Sequence, residues 1–354
     1  MTSRWSVTCG MVFLALTAAA SGVRAQSPSL SVSGVGYMQY GYQLHSDSSL
    51  TPSGHQNNFD VTRAYVNAIA KFSGGLTTRV TMDLDGRKAA SNQLSFRLKY
   101  AYAAWTPENS HLTYKLGLLH TSLLDWEEAL WDYRMQGSMP MERGGYVSSS
   151  DFGAGIDGTF GYEKLNFQVA VVNGENYSGA PGDQRKDVMG RVSYKLMNTD
   201  LPGKVGGLRL TGYAQYGKPT TGGQRQRFLG MLSYKSKAAT LVAEYGATKD
   251  SVTGNGTVTP VASRSGRVMS AYGVYAFPNT KWSVIGRVDI TDPDTRSAAT
   301  NDRTTRIIGG VAYQLHEHLR LLADIDNVSR QGGNYANSFN ATRSTAYLHG
   351  QITY

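Results

Sequence analysis

Much of this 354-residue chain alternates polar and apolar residues, and the ionisable side chains on its polar positions are mostly cationic. Arg63, Arg79, Arg97, Lys99, Lys115 and Arg191 sit on such alternating polar faces. Lys71, Lys195, Arg209, Arg225, Arg227, Lys235, Arg267, Arg287, Arg306, Arg320 and Arg343 share the same phase. The carboxylates in that phase are Asp83, Asp85, Asp151, Asp157, Glu244, Asp289, Asp324 and Asp326, so cations exceed anions about two to one. Such a pattern makes and breaks no bonds. Gathered around water it forms an electrostatic path, and rings of Arg and Lys are how pores select anions and phosphate. The plainer reading is that the charges neutralise one another and keep an enclosed space wet, since ionisable groups at membrane depth commonly pair.

Bond-making chemistry has weak support. Gly153-Ala154-Gly155-Ile156-Asp157-Gly158 matches the dinucleotide fingerprint, but that motif must open a helix. Here period-2 alternation runs on to Phe160. No G-x-S-x-G or H-E-x-x-H occurs. His316-Glu317-His318 falls in a short turn, and Asp292, Asp294 and Asp302 lack calcium-loop spacing. The histidines fall mostly in connections and none sits beside an obvious nucleophile, which an outer-membrane barrel enzyme such as a phospholipase would need. The expectation is therefore a protein with no catalytic residues, no cofactor and no metal.

The elements that must carry these faces are strands. In Leu76 to Asp85, Leu76, Thr78, Val80, Met82 and Leu84 alternate with Thr77, Arg79, Thr81, Asp83 and Asp85. In Leu94 to Trp105, Leu94, Phe96, Leu98, Tyr100 and Tyr102 form the apolar face against Ser95, Arg97, Lys99 and Ala101. Val268, Tyr272 and Val274 give another apolar face, and the last strand alternates to Tyr354. A strand with one greasy and one wet face needs lipid or core on one side and water on the other. About 16 such strands follow one another, joined alternately by short turns and long polar connections. This predicts an all-β fold, a transmembrane antiparallel up-and-down β-barrel. A secreted β-sandwich or propeller is the soluble alternative. The connection 120–150 is the longest and holds Trp126, Trp131, Tyr133 and Tyr146. Its aromatics predict a constriction loop folded inward. Its acidic first half (Asp125, Glu127, Glu128, Asp132) would face a basic wall and set up a transverse field. An outward surface loop is the alternative.

Residues 1–25 read as a cleavable export signal. Arg4 precedes the apolar stretch Val7 to Ala20, and Val23-Arg24-Ala25 fits small-residue cleavage. Residues 26–354 are then the barrel domain, placed in the outer membrane of a Gram-negative bacterium. The one cysteine, Cys9, would leave with the signal, so neither disulfides nor thiolate metal sites are expected. The formal charge of +9 loses Arg4 and Arg24, leaving about +7. It is spread over the strands rather than gathered in a patch, which argues against nucleic acid as partner. Mean hydropathy is -0.34, a value that misleads for barrels because lumen-facing residues average away the lipid-facing half.

Several short segments resemble the phosphate-selective porin O and P family. Phe59-Asp60-Val61-Thr62-Arg63-Ala64-Tyr65 is similar to its F-x-I-x-R-A-R strand. Gly117-Leu118-Leu119-His120 is similar to its G-Q-F-K strand end, Met141-Glu142-Arg143 to its x-E-R, and Asp151-Phe152-Gly153 to its D-x-G. The resemblance implies a homotrimeric, 16-stranded passive porin in outer-membrane lipid, carrying small anionic solutes, phosphate among them, past Arg63, His120 and Arg143. The chain departs from the pattern at His120, where the family has lysine, and at Leu118, where it has glutamine. A general diffusion porin with slight anion preference is the second reading.

Overall fold

The computed structural model describes residues 27–47, 56–87, 94–179, 184–219, 223–253, 260–296, 302–331 and 342–354. The expected signal segment and the outer parts of several long connections lie outside them. Sixteen antiparallel strands close into one barrel, each paired with its neighbours in sequence and the first with the last. They are β1 (Ser29–Ser46), β2 (Asn57–Lys71), β3 (Leu76–Arg87), β4 (Leu94–Trp105), β5 (Leu112–His120), β6 (Ser150–Phe160), β7 (Leu165–Val172) and β8 (Asp187–Met197). The second half comprises β9 (Gly207–Gly217), β10 (Arg225–Lys235), β11 (Ala239–Thr253), β12 (Pro260–Ala276), β13 (Trp282–Asp292), β14 (Thr304–His316), β15 (Leu319–Arg330) and β16 (Arg343–Thr353). Closure removes every sheet edge, so backbone groups facing hydrocarbon are paired. Tyr354 completes the seam: its carbonyl accepts from Gly34 N at 2.9 Å and its amide donates to Gly34 O at 3.1 Å.

The outward face carries Val80, Met82, Leu116, Val169, Val192, Leu210, Leu232, Val288, Ile307 and Leu348, all exposed. Aromatics bracket this aliphatic band. Trp105, Tyr114, Tyr194, Tyr275 and Trp282 lie toward the short turns, while Tyr216, Phe228 and Phe59 lie toward the long connections. An apolar belt between two aromatic girdles suits a bilayer with its two interfaces.

Two bulges change the face of residues on the strands that matter most. On β2, Tyr37 pairs with Arg63 and Met38 with Val61, which leaves Thr62 as an extra residue. Phe59 and Val61 therefore face out while Arg63 and Tyr65 face in. On β4, Thr81 pairs with Tyr100 and Met82 with Leu98, so Lys99 is the extra residue. Tyr100 then pairs with the inward, fully buried Thr81. This corrects the expected apolar face of that strand: Leu94, Phe96 and Leu98 face out, but Tyr100 and Tyr102 turn into the lumen. A bulge inserts one residue and flips everything beyond it.

β12 departs for another reason. Val268 and Tyr272 are buried inside the barrel, whereas Tyr275 is exposed outside. The expected outer face is thus the inner one, and Arg267 shares the outward phase at the loop end of the strand. Tyr272 packs edge-on to Trp131 of the long connection, with centroids 5.2 Å apart. Apolar side chains inside the barrel are there to receive that loop, so apolarity alone could not identify the lipid side.

Candidate functional site: a constriction between two walls

The connection 121–149 folds into the lumen. It contains α1 (Leu124–Leu130), a 3-10 turn at Arg134–Gln136 and α2 (Pro140–Arg143). Leu123, Leu124, Trp126, Leu130, Trp131, Met139 and Met141 are fully buried there. They meet Met189, Leu229, Met231, Val242, Val268, Ile285 and Ile308 from the wall in one apolar cluster. This is a hydrophobic core inside a barrel, and burial of that kind holds the loop against strands β7–β15.

Cations fix its backbone. Arg191 Nε donates to Ser122 O at 3.0 Å, and its guanidinium lies 4.1 Å from the Trp126 ring centre. Lys235 Nζ donates to Ala129 O at 2.9 Å and Leu130 O at 3.1 Å, the C-terminal carbonyls of α1, and pairs with Asp132. A helix C-terminus carries partial negative charge, so an ammonium belongs there. Arg287 donates to Ser138 O at 2.9 Å and Arg227 to Tyr146 O at 2.9 Å. Arg143 pairs with Asp289 at 2.8 Å.

On the opposite wall, β2–β5, the cations lie inside the barrel among tyrosines and carboxylates, with Lys99 fully buried. Arg63 bonds the Tyr65 hydroxyl. Arg79 donates to Asn67 Oδ1 at 2.7 Å and lies over the Tyr100 ring at 5.0 Å. Arg97 lies over Tyr177 at 4.5 Å. Asp83 is shared by Lys99 at 3.6 Å and Arg97 at 3.8 Å. Lys115 pairs with Asp157. Facing this wall, the loop presents Arg134 between Glu128 at 2.7 Å and Glu142 at 3.0 Å. A cavity of about 130 Å³ separates Tyr37, Thr62 and Arg63 from Arg134 and Gln136. Burial pushes the Glu142 carboxyl up, but Arg134, Lys99 and Arg63 outweigh it and hold it below the usual carboxylate range. The basic wall therefore reaches the loop electrostatically.

Of the residues singled out from sequence, Arg63, Arg79, Arg97 and Lys99 are brought together here, with Lys115 beside them on β5. His120 is not open to the lumen. Its ring lies against Tyr100 with centroids 3.7 Å apart, Nδ1 meets Asp125 at 3.0 Å and Nε2 meets Arg79 at 3.2 Å. It ties the base of the loop to the open wall. Arg191 is enclosed behind Trp126, and Arg143 faces a different cavity near β13. The expected acidic pole also narrows. Asp125 is taken by His120 and Lys204, Asp132 by Lys235, and Glu127 is buried against Glu244. Only Glu128 and Glu142 face the basic wall, with Arg134 between them. Arg134 and Tyr177 escaped sequence reading because both lie in connections without periodicity. Tyr65 was visible inside the Phe59–Tyr65 segment.

Among the described residues no cluster of three metal-ligating side chains exists. Gly153–Gly158 lies within strand β6, without the helix that nucleotide binding needs.

No protein-family profile and no curated protein sequence matches this chain. Solved structures do. An anion-selective porin from Comamonas acidovorans superposes with a TM-score of 0.68 at 11% identity, covering 93% of this chain and 100% of that one. OmpF of Salmonella typhi gives 0.67 at 14% identity, covering 93% and 98%. The outer membrane channel DcaP of Acinetobacter baumannii gives 0.61 at 10% identity, covering 93% and 98%. At these identities the likeness is one of fold, and this chain has the fold of the 16-stranded porin barrels.

Proposed function

We propose that this protein is a passive porin of the outer membrane, a water-filled channel favouring small anions. The observation that carries the reading is the basic wall of Arg63, Arg79, Arg97 and Lys99 facing the edge of an inward-folded loop inside a closed barrel. Low-dielectric walls focus the field of such charges on passing ions. The apolar belt and aromatic girdles support residence in outer-membrane lipid, reached by an export signal at 1–25. Homotrimeric assembly follows from the resemblance to the porin O and P family, and phosphate is the anion it suggests. On this reading the chain has no catalytic residue, cofactor or nucleic-acid partner, and Arg63, Arg79, Arg97, Lys99 and Lys115 line the anion path, with His120 and Arg191 supporting it from behind and Arg143 at its outer end.

The test is a planar-bilayer recording across a potassium chloride gradient. Chloride preference is expected, weakening as salt screens the wall. Arg97→Gln should move the reversal potential toward cations without abolishing conductance. Cation preference in the parent protein would overturn the reading. A general diffusion porin with little selectivity is the second reading, favoured by Asp83, which offsets both Lys99 and Arg97. A reversal potential near zero would select it.

A further inference from the structure

The connection between β8 and β9, residues 198–206, belongs to the turn end of the barrel but reaches into the lumen. Gly203 N donates to Glu163 Oε2 at 2.9 Å. Arg209 holds the far end, donating to Gly206 O at 2.9 Å and to Glu163 O at 2.8 Å. Thr199 Oγ1 donates to Lys235 O at 2.7 Å, and Val205 packs against the apolar cluster that holds the inward loop. So anchored, the connection carries Lys204 to the start of α1, where Nζ donates to Asp125 Oδ2 at 2.9 Å.

Asp125 joins that connection to the open wall. Its Oδ1 meets His120 Nδ1 at 3.0 Å, and the other ring nitrogen, Nε2, lies 3.2 Å from an Arg79 Nη1. A guanidinium can only donate, so Nε2 must accept. The imidazole is then neutral, with its single proton on Nδ1 and donated to Asp125. Arg79 donates to His120, His120 to Asp125, and Lys204 to Asp125 from the other side. Burial pushes the Asp125 carboxyl up, but His120 and Lys204 outweigh it and hold it well below the usual carboxylate range. The ring faces Arg79 from β3, Tyr100 and Tyr102 from β4, Lys115 from β5 and Asp125 from the loop. Gln168 of β7 reaches only the His120 carbonyl, at 3.4 Å, and Arg191 is a further cation near Asp125. Of the charged groups around the ring, only Asp125 favours an imidazolium, and Lys204 offsets it.

We propose that Lys204 is a positioning residue for the constriction: by occupying Asp125 it keeps His120 neutral and Arg79 seated over Tyr100 on the open wall. Without the ammonium, the carboxylate would belong to His120 alone and would favour protonation of Nε2 from solvent, since a nearby anion stabilises a cationic neighbour. Arg79 would then lose an acceptor and face a like charge. The selectivity of the path it lines would come to depend on pH. That consequence for transport rests on the porin reading, whereas the position of the proton does not.

The experiment follows the imidazole by magnetic resonance in the detergent-folded full barrel carrying nitrogen-15 histidine, with His120→Asn identifying the signal by its loss. The parent should show the Nδ1–H tautomer at neutral pH. Lys204 is 45% exposed, so replacing it costs the fold little. Lys204→Gln should raise the midpoint of His120 protonation by about one pH unit, and Lys204→Arg should restore it. In planar bilayers the reversal potential of Lys204→Gln should step toward anions as pH falls through the raised midpoint. Adding His120→Asn should remove that step. An Nε2–H tautomer in the parent, or a midpoint that Lys204→Gln leaves in place, would overturn the proposal. So would a moved midpoint with the parent's pH profile of selectivity. A moved midpoint in a protein that forms no channel would uphold the hydrogen-bond chain and refute the porin reading instead.

Discussion

The lumen has two walls, and both are basic, yet the cations do different work on each. On the covered wall, β7–β15, Arg191, Arg227, Lys235 and Arg287 spend their donors on carbonyls of the inward loop. On the open wall, β2–β4, Arg63, Arg79, Arg97 and Lys99 rest on tyrosine faces, and Lys99 and Arg97 share Asp83. A buried guanidinium bonded to backbone is structural, because removing it leaves desolvated carbonyls without a partner. Over the tyrosine rings the open-wall cations bond side chains rather than the loop backbone, Arg79 to Asn67, Thr81 and His120 and Arg63 to Tyr65. Charge alone therefore does not tell which cations hold the loop; the partner does.

The sharpest way to break this distinction is in the loop core. Trp126→Ala empties a fully buried site between the loop and Arg191 and should destabilise the barrel by about 3–5 kcal/mol. Urea unfolding in detergent reads it. A loss below 1 kcal/mol, taken as roughly the size of a single net hydrogen bond, would mean that the loop is not packed as described.

On the outer surface, Val80→Arg should cost about 2–4 kcal/mol at the bilayer midplane. Its effect tests the lipid face independently of the loop. Equal folded yield of mutant and parent in vesicles would place Val80 away from lipid.

The covered wall also predicts a dependence on pH. Burial, reinforced by Glu244, pushes the Glu127 carboxyl well above its ordinary value of 4.5. As pH rises past that value the unfolded chain releases the proton while the folded barrel keeps it, so stability falls with rising pH. Glu127→Gln should flatten that slope and raise the unfolding midpoint at neutral pH. An unchanged slope would assign the pH dependence to other groups.

The smallest effect on stability belongs to the open wall. Arg97 is partly exposed and 3.8 Å from Asp83, so Arg97→Gln should change stability by less than about 1 kcal/mol. It should nevertheless shift the reversal potential. Arg227→Gln should do the reverse, lowering stability with little change in selectivity. If the two variants behaved alike, the division of the lumen into a holding wall and a selecting wall would fail.

Period-2 alternation was enough to read from sequence that the chain is a barrel of about 16 strands, because each strand must satisfy lipid and water at once. The gathering of Arg63, Arg79, Arg97 and Lys99 was equally legible, since successive strands bring alternate residues onto one inner surface. Three things only the tertiary structure decided. Bulges at Thr62 and Lys99 reversed the faces beyond them, and a one-residue insertion leaves no mark in a hydrophobicity pattern. The inner face of β12 turned out apolar because it packs beneath Trp131, a contact more than 140 residues away along the chain. Finally, which cations hold the loop and which line the opposite wall depends on where that loop lies, a position set by its buried core rather than by any periodic signal in its own residues.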